Sequence, residues 1–467
     1  MSATHKNMAR RRLLQLGGAG TLAALLAPAR SAGRLPNFII LFADDMGYGD
    51  LGCYGHPTIR TPNLDRAAEE GLRFTSFYAA APVCTPSRVG LLTGRYPVRA
   101  GLPNNLGPDS KGGLPLSEIT LAQLLKARGY KTMAIGKWHL GHDPKEYLPT
   151  SRGFDSYLGL LYSNDMIPPF VKTTRPLDLY RNEQPVERVT DQSTLTERYT
   201  AEALRFIRSA GDSPFFLYLP YAMPHLPIST SERFRSRSRA GLYGDVIETL
   251  DWSAGEILRE LKDRKLDGDT MVIFASDNGP WHNLPSRMLQ NDNEPWHTGT
   301  KGLLRGAKGT TYEGGQRVPC IARWPGVIPA RQINSDIVST LDLLPTIAGA
   351  AGATLPRDRV YDGFDLLPVL RGTARSPRSV FHYFRGNTLE ALREGSWKMR
   401  LAQPIQGEGQ SGPAGPPRPE LFNLDFDPAE QYNVYERHRD LGDLLMNKMR
   451  AFAQELKAQF HESKAER

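Results

Sequence analysis

Four short apolar runs in this chain each end in charged or amide side chains, and this repeated pattern constrains the fold more than any other feature. The runs cover 37–43, 131–135, 215–219 and 271–275, and the polar residues that follow them are Asp44 and Asp45, Lys137 and His139, His225, and Asp277 and Asn278. Short apolar runs without alternation are typical of strands buried on both faces. One such coincidence carries little weight, but four along one chain are hard to attribute to packing alone.

Helical patterns between these runs predict the fold class. Segments 120–128 and 245–264 are helix-like. Strands that alternate with helices favour an α/β fold, in which a mostly parallel central sheet is flanked by helices. In such sheets ligands bind beyond the carboxyl ends of the strands. We therefore expect the polar residues to converge on one site, within a catalytic domain that spans 35–370.

The pattern of predicted secondary structure changes after about residue 370. Segments 379–383 and 397–401 have the pattern of short strands, and 404–419 is a loop rich in glycine and proline. An amphipathic helix pattern then covers about 440–460. These features predict a smaller C-terminal α+β subdomain over 371–467, packed on the larger one.

The first 29 residues have the features of a targeting segment. Arg10, Arg11 and Arg12 precede a mildly apolar run over 13–27 that contains three glycines, and 27–29 offers a small-x-small cleavage site. A twin-arginine start with a weakly apolar run resembles a Tat export signal. The run is too short and too rich in glycine for a stable transmembrane helix. We expect export by the Tat machinery to the periplasm or the cell exterior, with a Sec signal or an uncleaved anchor as alternatives.

Charge and cysteine content set further limits. The formal net charge is +8, of which four charges come from Lys6 and the three arginines of the predicted signal. The remaining excess gives little support for nucleic-acid binding, and we expect none, but it suits mild attraction for anionic substrates. Three cysteines do not make a disulfide framework. Cys53 and Cys320 can pair or stay reduced, and the oligomeric state is left open.

Cys84 lies just ahead of a predicted helix. Thr85-Pro86 suits a helix start, because proline is favoured at the first helical position. Amide donors and the dipole at a helix N-terminus favour anions and thiolates. Arg88, one turn further on, would direct its guanidinium toward the same place. The residues alone therefore allow either a thiol nucleophile beside an anion site or a small buried cysteine.

The acidic and amide residues at the strand ends predict a metal site. Three carboxylates and an amide oxygen at one point would repel one another unless a cation lay among them. Ca²⁺ and Mg²⁺ prefer such oxygen ligands, whereas zinc prefers nitrogen and sulfur. Each acidic pair taken alone would also fit a strand that ends in a turn.

Basic residues in two further segments complete the candidate site. Lys137 and His139 are two apart, so on an extended segment both point the same way. Lys308 lies in the glycine-rich stretch 305–315, where the backbone can approach a ligand closely. Taken singly, each lysine would also fit a solvated surface charge, and each histidine a structural role.

Several segments together resemble the type I sulfatase family, which has the alkaline phosphatase fold. They are CTPSR at 84–88, LTGR at 92–95, GDLGCYG at 49–55, GKWHLG at 136–141 and KGTTYEGG at 308–315. The last three resemble the branch that contains arylsulfatase A and N-acetylgalactosamine-6-sulfatase. The resemblance covers 35 to about 433, and it implies an enzyme that hydrolyses sulfate esters.

The resemblance also implies the chemistry of the site. Cys84 would be oxidised to formylglycine (3-oxoalanine) by a formylglycine-generating enzyme. The implied ligands of the divalent cation, calcium or alternatively magnesium, are Asp44, Asp45, Asp277, Asn278 and the modified Cys84. The implied remainder of the pocket is Arg88, Lys137, His139, Ser163, His225 and Lys308, of which Ser163 and His225 rest on looser similarity.

In the implied double displacement, one hydroxyl of the formylglycine hydrate attacks sulfur, assisted by the cation and Asp277. Lys137 and Lys308 stabilise the sulfate oxygens, and His225 with Lys308 protonates the departing alcohol. His139 then takes the proton of the second hydroxyl, which expels sulfate and restores the aldehyde.

The sequence leaves other functions open. A phosphodiesterase or phosphonate monoester hydrolase of the same superfamily is the nearest alternative, and a non-catalytic glycan-binding protein is a more distant one. The alternating arginines of 233–239 suit a solvated basic loop better than a binding site for a sulfated polymer. The substrate is expected to be a sulfated small molecule or carbohydrate, and segment 281–298 is expected to shape its entrance.

Overall fold

The computed structural model describes residues 34–402 and 417–460, which form two large sheets, two small two-stranded sheets and several helices. The strands are β1 Asn37–Ala43, β2 Leu72–Phe74, β3 Phe77–Tyr78, β4 Gly112–Gly113, β5 Lys131–Lys137, β6 Gly141–Asp143, β7 Ser156–Leu160, β8 Asp178–Arg181, β9 Gln184–Arg188, β10 Phe215–Pro220, β11 Thr270–Ser276, β12 Cys320–Arg323, β13 Gln332–Asn334, β14 Val338–Ser339, β15 Val380–Arg385, β16 Thr388–Glu394, β17 Trp397–Ala402, β18 Arg418–Asn423 and β19 Gln459–Phe460. The helices are α1 Pro62–Glu69, α2 Cys84–Thr93, α3 Leu121–Lys126, α4 Leu195–Ser209, α5 Gly241–Asp263, α6 Glu313–Gln316, α7 Leu343–Ala350, α8 Leu367–Leu370 and α9 Arg439–Leu456.

The larger sheet has a parallel centre, with antiparallel pairs on both sides of it and a parallel β13–β2 pair at one edge. Its ten strands follow the order β13-β2-β12-β11-β1-β10-β5-β7-β8-β9. The five central strands, β11 to β7 in this order, are parallel, whereas β12, β8 and β9 pair antiparallel with their neighbours. The four predicted strands are β1, β5, β10 and β11, and they lie side by side. The predicted α/β fold with a mostly parallel sheet is therefore confirmed.

The central strands form because their side chains are apolar on both faces. Every residue of β1, β10 and β11 is buried. One group of helices, α1, α4 and α5, packs together, and α2, α3 and α7 form a second group. A sheet covered on both faces leaves the loops at its strand ends as the place for polar chemistry.

The C-terminal region forms a second sheet. Strands β15 to β18 are antiparallel neighbours in sequence order, β19 pairs with β16, and α9 packs against β16 and β17. The smaller α+β subdomain is therefore present. Its helix ends at Leu456 instead of about 460, because Lys457 has a φ of 52° and the chain then enters β19.

The remaining predictions from the sequence concern the signal segment, the glycine- and proline-rich loop, a membrane span and the cysteines. The predicted signal at 1–29, with its cleavage site, and most of the glycine- and proline-rich loop lie outside the described residues. Within 34–402 and 417–460, no helix is both long and apolar enough to cross a bilayer. Cys53 and Cys320 are free thiols, so these two cysteines do not pair.

Candidate active site

Two neighbouring strands deliver the acidic residues to one place. β1 and β11 are parallel and in register up to Ala43 and Ser276, so the residues that follow them meet at the same edge of the sheet. Asp45 has a φ of 65°, and its backbone N–H donates to Asp277 Oδ1 at 3.0 Å. This turn gathers the carboxylates behind both strands, and all of them are buried.

Cys84 is the first residue of α2, and it lies within this acidic cluster. Its Sγ is 3.4 Å from Asp44 Oδ1 and 3.5 Å from Lys308 Nζ. The helix begins at Cys84 and not at Pro86, which occupies the first turn, where its missing N–H costs no helical bond. Burial, together with the negative charge of Asp44, raises the pKa of the Cys84 thiol. The expectation that this helix terminus would favour a thiolate is therefore not met by the unmodified residue.

Three cationic side chains pair with the three carboxylates. Lys137 Nζ lies 2.5 Å from Asp44 Oδ2, and Lys308 Nζ lies 2.7 Å from Asp45 Oδ2. Arg88 lies one turn into α2, and its Nη2 is 2.9 Å from Asp277 Oδ2 and 3.4 Å from Asp44 Oδ2. The predicted orientation of Arg88 toward the site is the one observed.

These pairs set the charge states in the site. Burial alone would raise the pKa of Asp44, but the nearby charges of Lys137 and Arg88 outweigh it and hold that pKa well below its usual range. Burial and the charge of Asp44 instead raise the pKa of Asp277 to about 7. Burial would lower the pKa of Lys308, but Asp45 outweighs it and raises that pKa.

The pairing removes one reason for a metal ion that the sequence suggested. The carboxylates are already neutralised by Arg88, Lys137 and Lys308, so their mutual repulsion does not by itself demand a cation. A divalent cation added to this balanced cluster would give the site a net positive charge. That surplus suits an anionic substrate group such as a sulfate ester.

The oxygen donors of Asp44, Asp45 and Asn278 nevertheless fit a hard cation. Ligand atoms of Asp44, Asp45, Cys84 and His225 all lie within 4.8 Å of one another. Asn278 Nδ2 donates to Asp45 Oδ1 at 2.7 Å, whereas the buried Oδ1 of Asn278 has no hydrogen-bond partner among the described residues. An orphaned amide oxygen beside two carboxylates is the kind of ligand that calcium takes.

The structure also rearranges the expected ligand set. The Asp277 carboxylate accepts hydrogen bonds from Arg88 and from the backbone N–H of Asp45, and Asp277 does not belong to the four-residue group. His225 lies in that group instead, with its Nε2 3.5 Å from Asp45 Oδ2. The roles of these residues as ligands remain predictions.

His139 lies beside Lys137, but not on an extended segment as expected. β5 ends at Lys137, and His139 has a φ of 56°. Its Nε2 lies 2.8 Å from the carbonyl oxygen of Leu106, so Nε2 donates and Nδ1 keeps its lone pair. That buried Nδ1 has no partner among the described residues. Burial and the charge of Lys137 lower the pKa of His139 well below its usual value, so the ring is neutral.

His225 is neutral by the same logic. Its Nδ1 lies 2.6 Å from the carbonyl oxygen of Leu226, so Nδ1 is the donor, and the unprotonated Nε2 lies 3.5 Å from Asp45 Oδ2 without a hydrogen bond to it. Burial and the charge of Lys308 lower the pKa of His225. A neutral imidazole in this tautomer has no proton to give at Nε2.

Ser163 and Trp281 complete the pocket. Ser163 Oγ accepts a hydrogen bond from Lys137 Nζ at 3.0 Å, so the loosely matched Ser163 does lie in the cluster. The Trp281 ring lies 4.6 Å from Lys308 Nζ and 5.5 Å from the His225 ring. Trp281 was not among the predicted site residues, although it begins the segment that was expected to shape the entrance.

The arginine-rich loop has structural contacts of its own. Arg233 lies over the rings of Trp252 and Phe234, 4.6 Å and 4.9 Å from their centroids. The backbone N–H groups of residues 236–238 donate to the Asp245 carboxylate. These contacts favour the interpretation as a partly solvated basic loop.

Comparisons with known proteins place the chain in one family. A family model described as Sulfatase matches residues 36–353. The chain is 41% identical to arylsulfatase A of Homo sapiens, over 90% of this chain and 87% of the relative. It is 42% identical to N-acetylgalactosamine-6-sulfatase of Sus scrofa, over 78% of this chain and 71% of the relative.

Solved structures show the same architecture. The PsFucS1 sulfatase from Pseudoalteromonas sp. matches with a TM-score of 0.79 and 30% identity, over 91% of each chain. Ps i-CgsB in complex with k-i-k-neocarrahexaose matches with a TM-score of 0.76 and 29% identity, over 92% of this chain and 96% of the other. A phosphonate monoester hydrolase of Agrobacterium radiobacter, with a TM-score of 0.61 and 19% identity, shares the fold alone.

Fold and site together define a hydrolase of the alkaline-phosphatase-like class. Within that class the chain belongs to the sulfatase family, as the family match and the identities to curated sulfatases show. Sulfuric ester hydrolysis is the activity of this family, and the resemblance drawn from the sequence motifs is confirmed.

Proposed function

We propose that the protein hydrolyses the sulfate ester of a small molecule or a carbohydrate, with a nucleophile formed by oxidation of Cys84. The observation that carries the proposal is the place of Cys84 at the head of α2. Its Sγ lies between a carboxylate, Asp44, and a cation, Lys308, inside a buried cluster of paired charges. A nucleophile at this point faces the groups that would hold both a metal ion and a sulfate.

The proposal includes two groups that the unmodified chain does not contain, a formylglycine and a divalent metal ion. Formylglycine at Cys84 would supply a hydrated aldehyde, whose second hydroxyl provides an elimination route that a thiol lacks. A bound calcium ion, or magnesium in its place, supplies positive charge that polarises the sulfate. Asp44, Asp45 and Asn278 are the side chains proposed to hold the ion.

The lysines are proposed to bind the sulfate group. Lys137 and the side chain of Lys308 are shielded from solvent, charged and fixed by Asp44 and Asp45 before any substrate arrives. Fixed cations in a site with little water stabilise the developing charge without having to reorganise. Ser163 holds Lys137 from the other side and so helps to orient its ammonium group.

His139 and Lys308 are proposed to assist proton transfer. The free Nδ1 lone pair of neutral His139 suits a general base. Lys308 stays protonated, and its ammonium group is proposed to donate a hydrogen bond to the departing oxygen. His225 is better suited to orient that oxygen or to relay the proton, because its Nε2 is unprotonated in the neutral ring.

The test uses protein co-expressed with a formylglycine-generating enzyme, the proposed partner in maturation. Hydrolysis of 4-nitrophenyl sulfate is measured beside 4-nitrophenyl phosphate, bis(4-nitrophenyl) phosphate and a phenylphosphonate ester, with Cys84→Ala as the control. We expect the sulfate to be the preferred ester and Cys84→Ala to be inactive. A preference for a phosphorus ester would overturn the proposal in favour of the superfamily alternative.

Export is proposed on the sequence of the first 29 residues alone. A twin-arginine route carries folded protein, so an oxidised Cys84 and an assembled metal site can cross intact to the periplasm or the exterior. Replacing Arg10, Arg11 and Arg12 together by lysine should leave the precursor in the cytoplasm. Normal export of this triple variant would contradict the proposal.

A further inference from the structure

A cavity of about 480 Å³ lies beside the candidate active site, and none of the site residues described above lines it. It is bounded by the segment after β11, the loop before α6 and the β17–β18 pair of the C-terminal sheet. Its cationic and aromatic lining consists of His282, Lys301, Arg305, Tyr312, Arg400 and Arg418. This is large enough for a charged group together with part of the ring that carries it.

The cavity has an excess of positive charge. Arg400 pairs with Glu420, the acidic residue of the lining. Lys301, Arg305 and Arg418 have no carboxylate partner within 34–402 and 417–460. Burial and the nearby charge of Arg305 lower the pKa of Lys301, as expected where cations are crowded. An anion placed among these side chains would relieve that crowding.

One wall of the cavity is held in place before any ligand binds. The guanidinium carbons of Arg305 and Arg400 lie 4.1 Å and 4.0 Å from the centroid of the Tyr312 ring. Arg305 Nη1 also donates to the carbonyl oxygen of Glu430 at 2.7 Å, and Arg400 Nη1 donates to Tyr312 Oη at 3.0 Å. Arginines fixed in this way lose little side-chain entropy when they bind an anion.

The cavity and the active site share their dividing wall. Trp281 contacts Lys308 and His225 in the site, and the next residue, His282, lines the cavity. Ala307 lines the cavity, and the next residue, Lys308, reaches Cys84. The two segments are joined by a hydrogen bond from Lys308 N to Pro280 O at 2.9 Å. The two compartments therefore lie on opposite sides of the same two segments, 280–282 and 307–308.

We propose that this cavity binds a second anionic group, a sulfate or a carboxylate, of a sulfated oligosaccharide whose scissile sulfate lies at Cys84. The inference rests on the proposed sulfatase function and narrows its substrate class from any sulfate ester to a polyanionic carbohydrate. A simple aryl sulfate carries no second anion, so it would use the active site alone.

Ligand binding to the Cys84→Ala protein, which is expected to be inactive, tests the proposed anion site without turnover. Isothermal titration calorimetry would use three probes: 4-nitrophenyl sulfate, a chondroitin disaccharide with one sulfate and one uronate carboxylate, and its disulfated counterpart. We expect the disaccharides to bind more tightly than the aryl sulfate. The difference between the two disaccharides identifies which anion the cavity prefers.

The cavity variant is Lys301→Ala with Arg418→Ala, two side chains that hold no other described element in place. It should weaken disaccharide binding by about tenfold or more relative to 4-nitrophenyl sulfate. The matched control is Arg235→Ala with Arg237→Ala, which removes the same charge from the arginine-rich loop. It should leave the ratio of the disaccharide affinity to the 4-nitrophenyl sulfate affinity unchanged. Thermal unfolding checks that both double variants are folded, and the single Lys301→Ala and Arg418→Ala variants provide the same test if the double variant is not.

Two results would overturn the inference. One is that the disaccharides bind the parent protein no better than 4-nitrophenyl sulfate, and the other is that the cavity variant keeps the parent ratio. Either result leaves the proposed function intact, because hydrolysis of 4-nitrophenyl sulfate by protein with Cys84 is measured separately. Failure of that hydrolysis would instead remove the proposed function.

Discussion

Lys398 in β17 forms a fully buried ion pair with Glu313, the first residue of α6, at 3.0 Å. The same ammonium group lies 2.8 Å from Glu430, which also accepts the backbone N–H of Glu313 at 2.7 Å. Burial would raise the pKa of Glu313, but the charge of Lys398 outweighs it and lowers that pKa. The C-terminal sheet thus anchors the glycine-rich loop that carries Lys308, five residues before Glu313.

Breaking this anchor should destabilise the protein strongly. Lys398→Met would leave two buried carboxylates without their shared cation, which is expected to cost about 3–5 kcal/mol of unfolding free energy. Lys448→Met is the matched control, because Lys448 pairs with Glu394 at the surface of the same subdomain, at a cost of about 1 kcal/mol or less. Urea unfolding of both variants measures the difference. Equal losses would show that the buried cluster does not anchor the loop.

The sequence predicted the strands of the site but not their side-chain partners. β1 and β11 could be predicted because the uninterrupted apolar runs before Asp44 and Asp277 are typical of strands buried on both faces. The pairing of Arg88 with Asp277, 189 residues further along the chain, depends on how α2 packs over the sheet. Local periodicity carries no information on such a contact, so the charge balance of the site became visible only in three dimensions.

The same limit applies to Trp281 and to Lys398. Trp281 follows no periodic pattern, and only its contact with Lys308 gives it a role. Lys398 resembles any polar residue in an alternating strand, yet it is completely buried. Buried charges of this kind cannot be distinguished from solvated ones until the partner element is placed.

Cys84 should be converted to formylglycine in active protein. Replacing the thiol by an aldehyde predicts a loss of about 18 Da from the Cys84 peptide. Cys84→Ala should be inactive, and Cys84→Ser should fail to turn over because a simple hydroxyl offers no aldehyde to regenerate. Peptide mass spectrometry and steady-state assays measure both effects. Full activity from protein with an intact thiol would refute this prediction.

Calcium should stabilise the folded protein through Asp45. A ligand that binds only the native state adds about 2.7 kcal/mol at a concentration one hundred times its Kd. The melting temperature of the parent protein should therefore rise with added calcium, and that of Asp45→Asn should not. Asp143→Asn, which removes a half-buried carboxylate paired with Arg175, should keep the parent response. A calcium response that survives in Asp45→Asn would place the ion elsewhere.

Ser163 and Lys137 should differ in their effect on turnover. Ser163 contributes one neutral hydrogen bond to Lys137, which stays fixed by Asp44, so Ser163→Ala should cost about tenfold or less in kcat/KM. Lys137→Met removes a charge aimed at the substrate and should cost about a hundredfold or more. Steady-state kinetics on one aryl sulfate compares them. A larger loss for Ser163→Ala would mean that the hydroxyl itself contacts the substrate.

His382 should make the stability of the C-terminal subdomain depend on pH. Its ring stacks on Phe452 of α9, with centroids 3.7 Å apart, and burial together with the charge of Arg378 lowers its pKa to about 3. The unfolded chain, with an ordinary histidine pKa near 6.5, binds more protons than the folded chain between these two values. The contribution of His382 to the unfolding free energy is therefore complete above about pH 6.5 and is lost as the pH falls toward 3, by up to about 1.4 kcal/mol per pH unit.

The variant His382→Phe preserves the stacking but cannot be protonated, so its unfolding free energy should fall less steeply between pH 6.5 and pH 4.5 than that of the parent. Parallel slopes for the two proteins in urea unfolding across this range would show that His382 does not control the acid response.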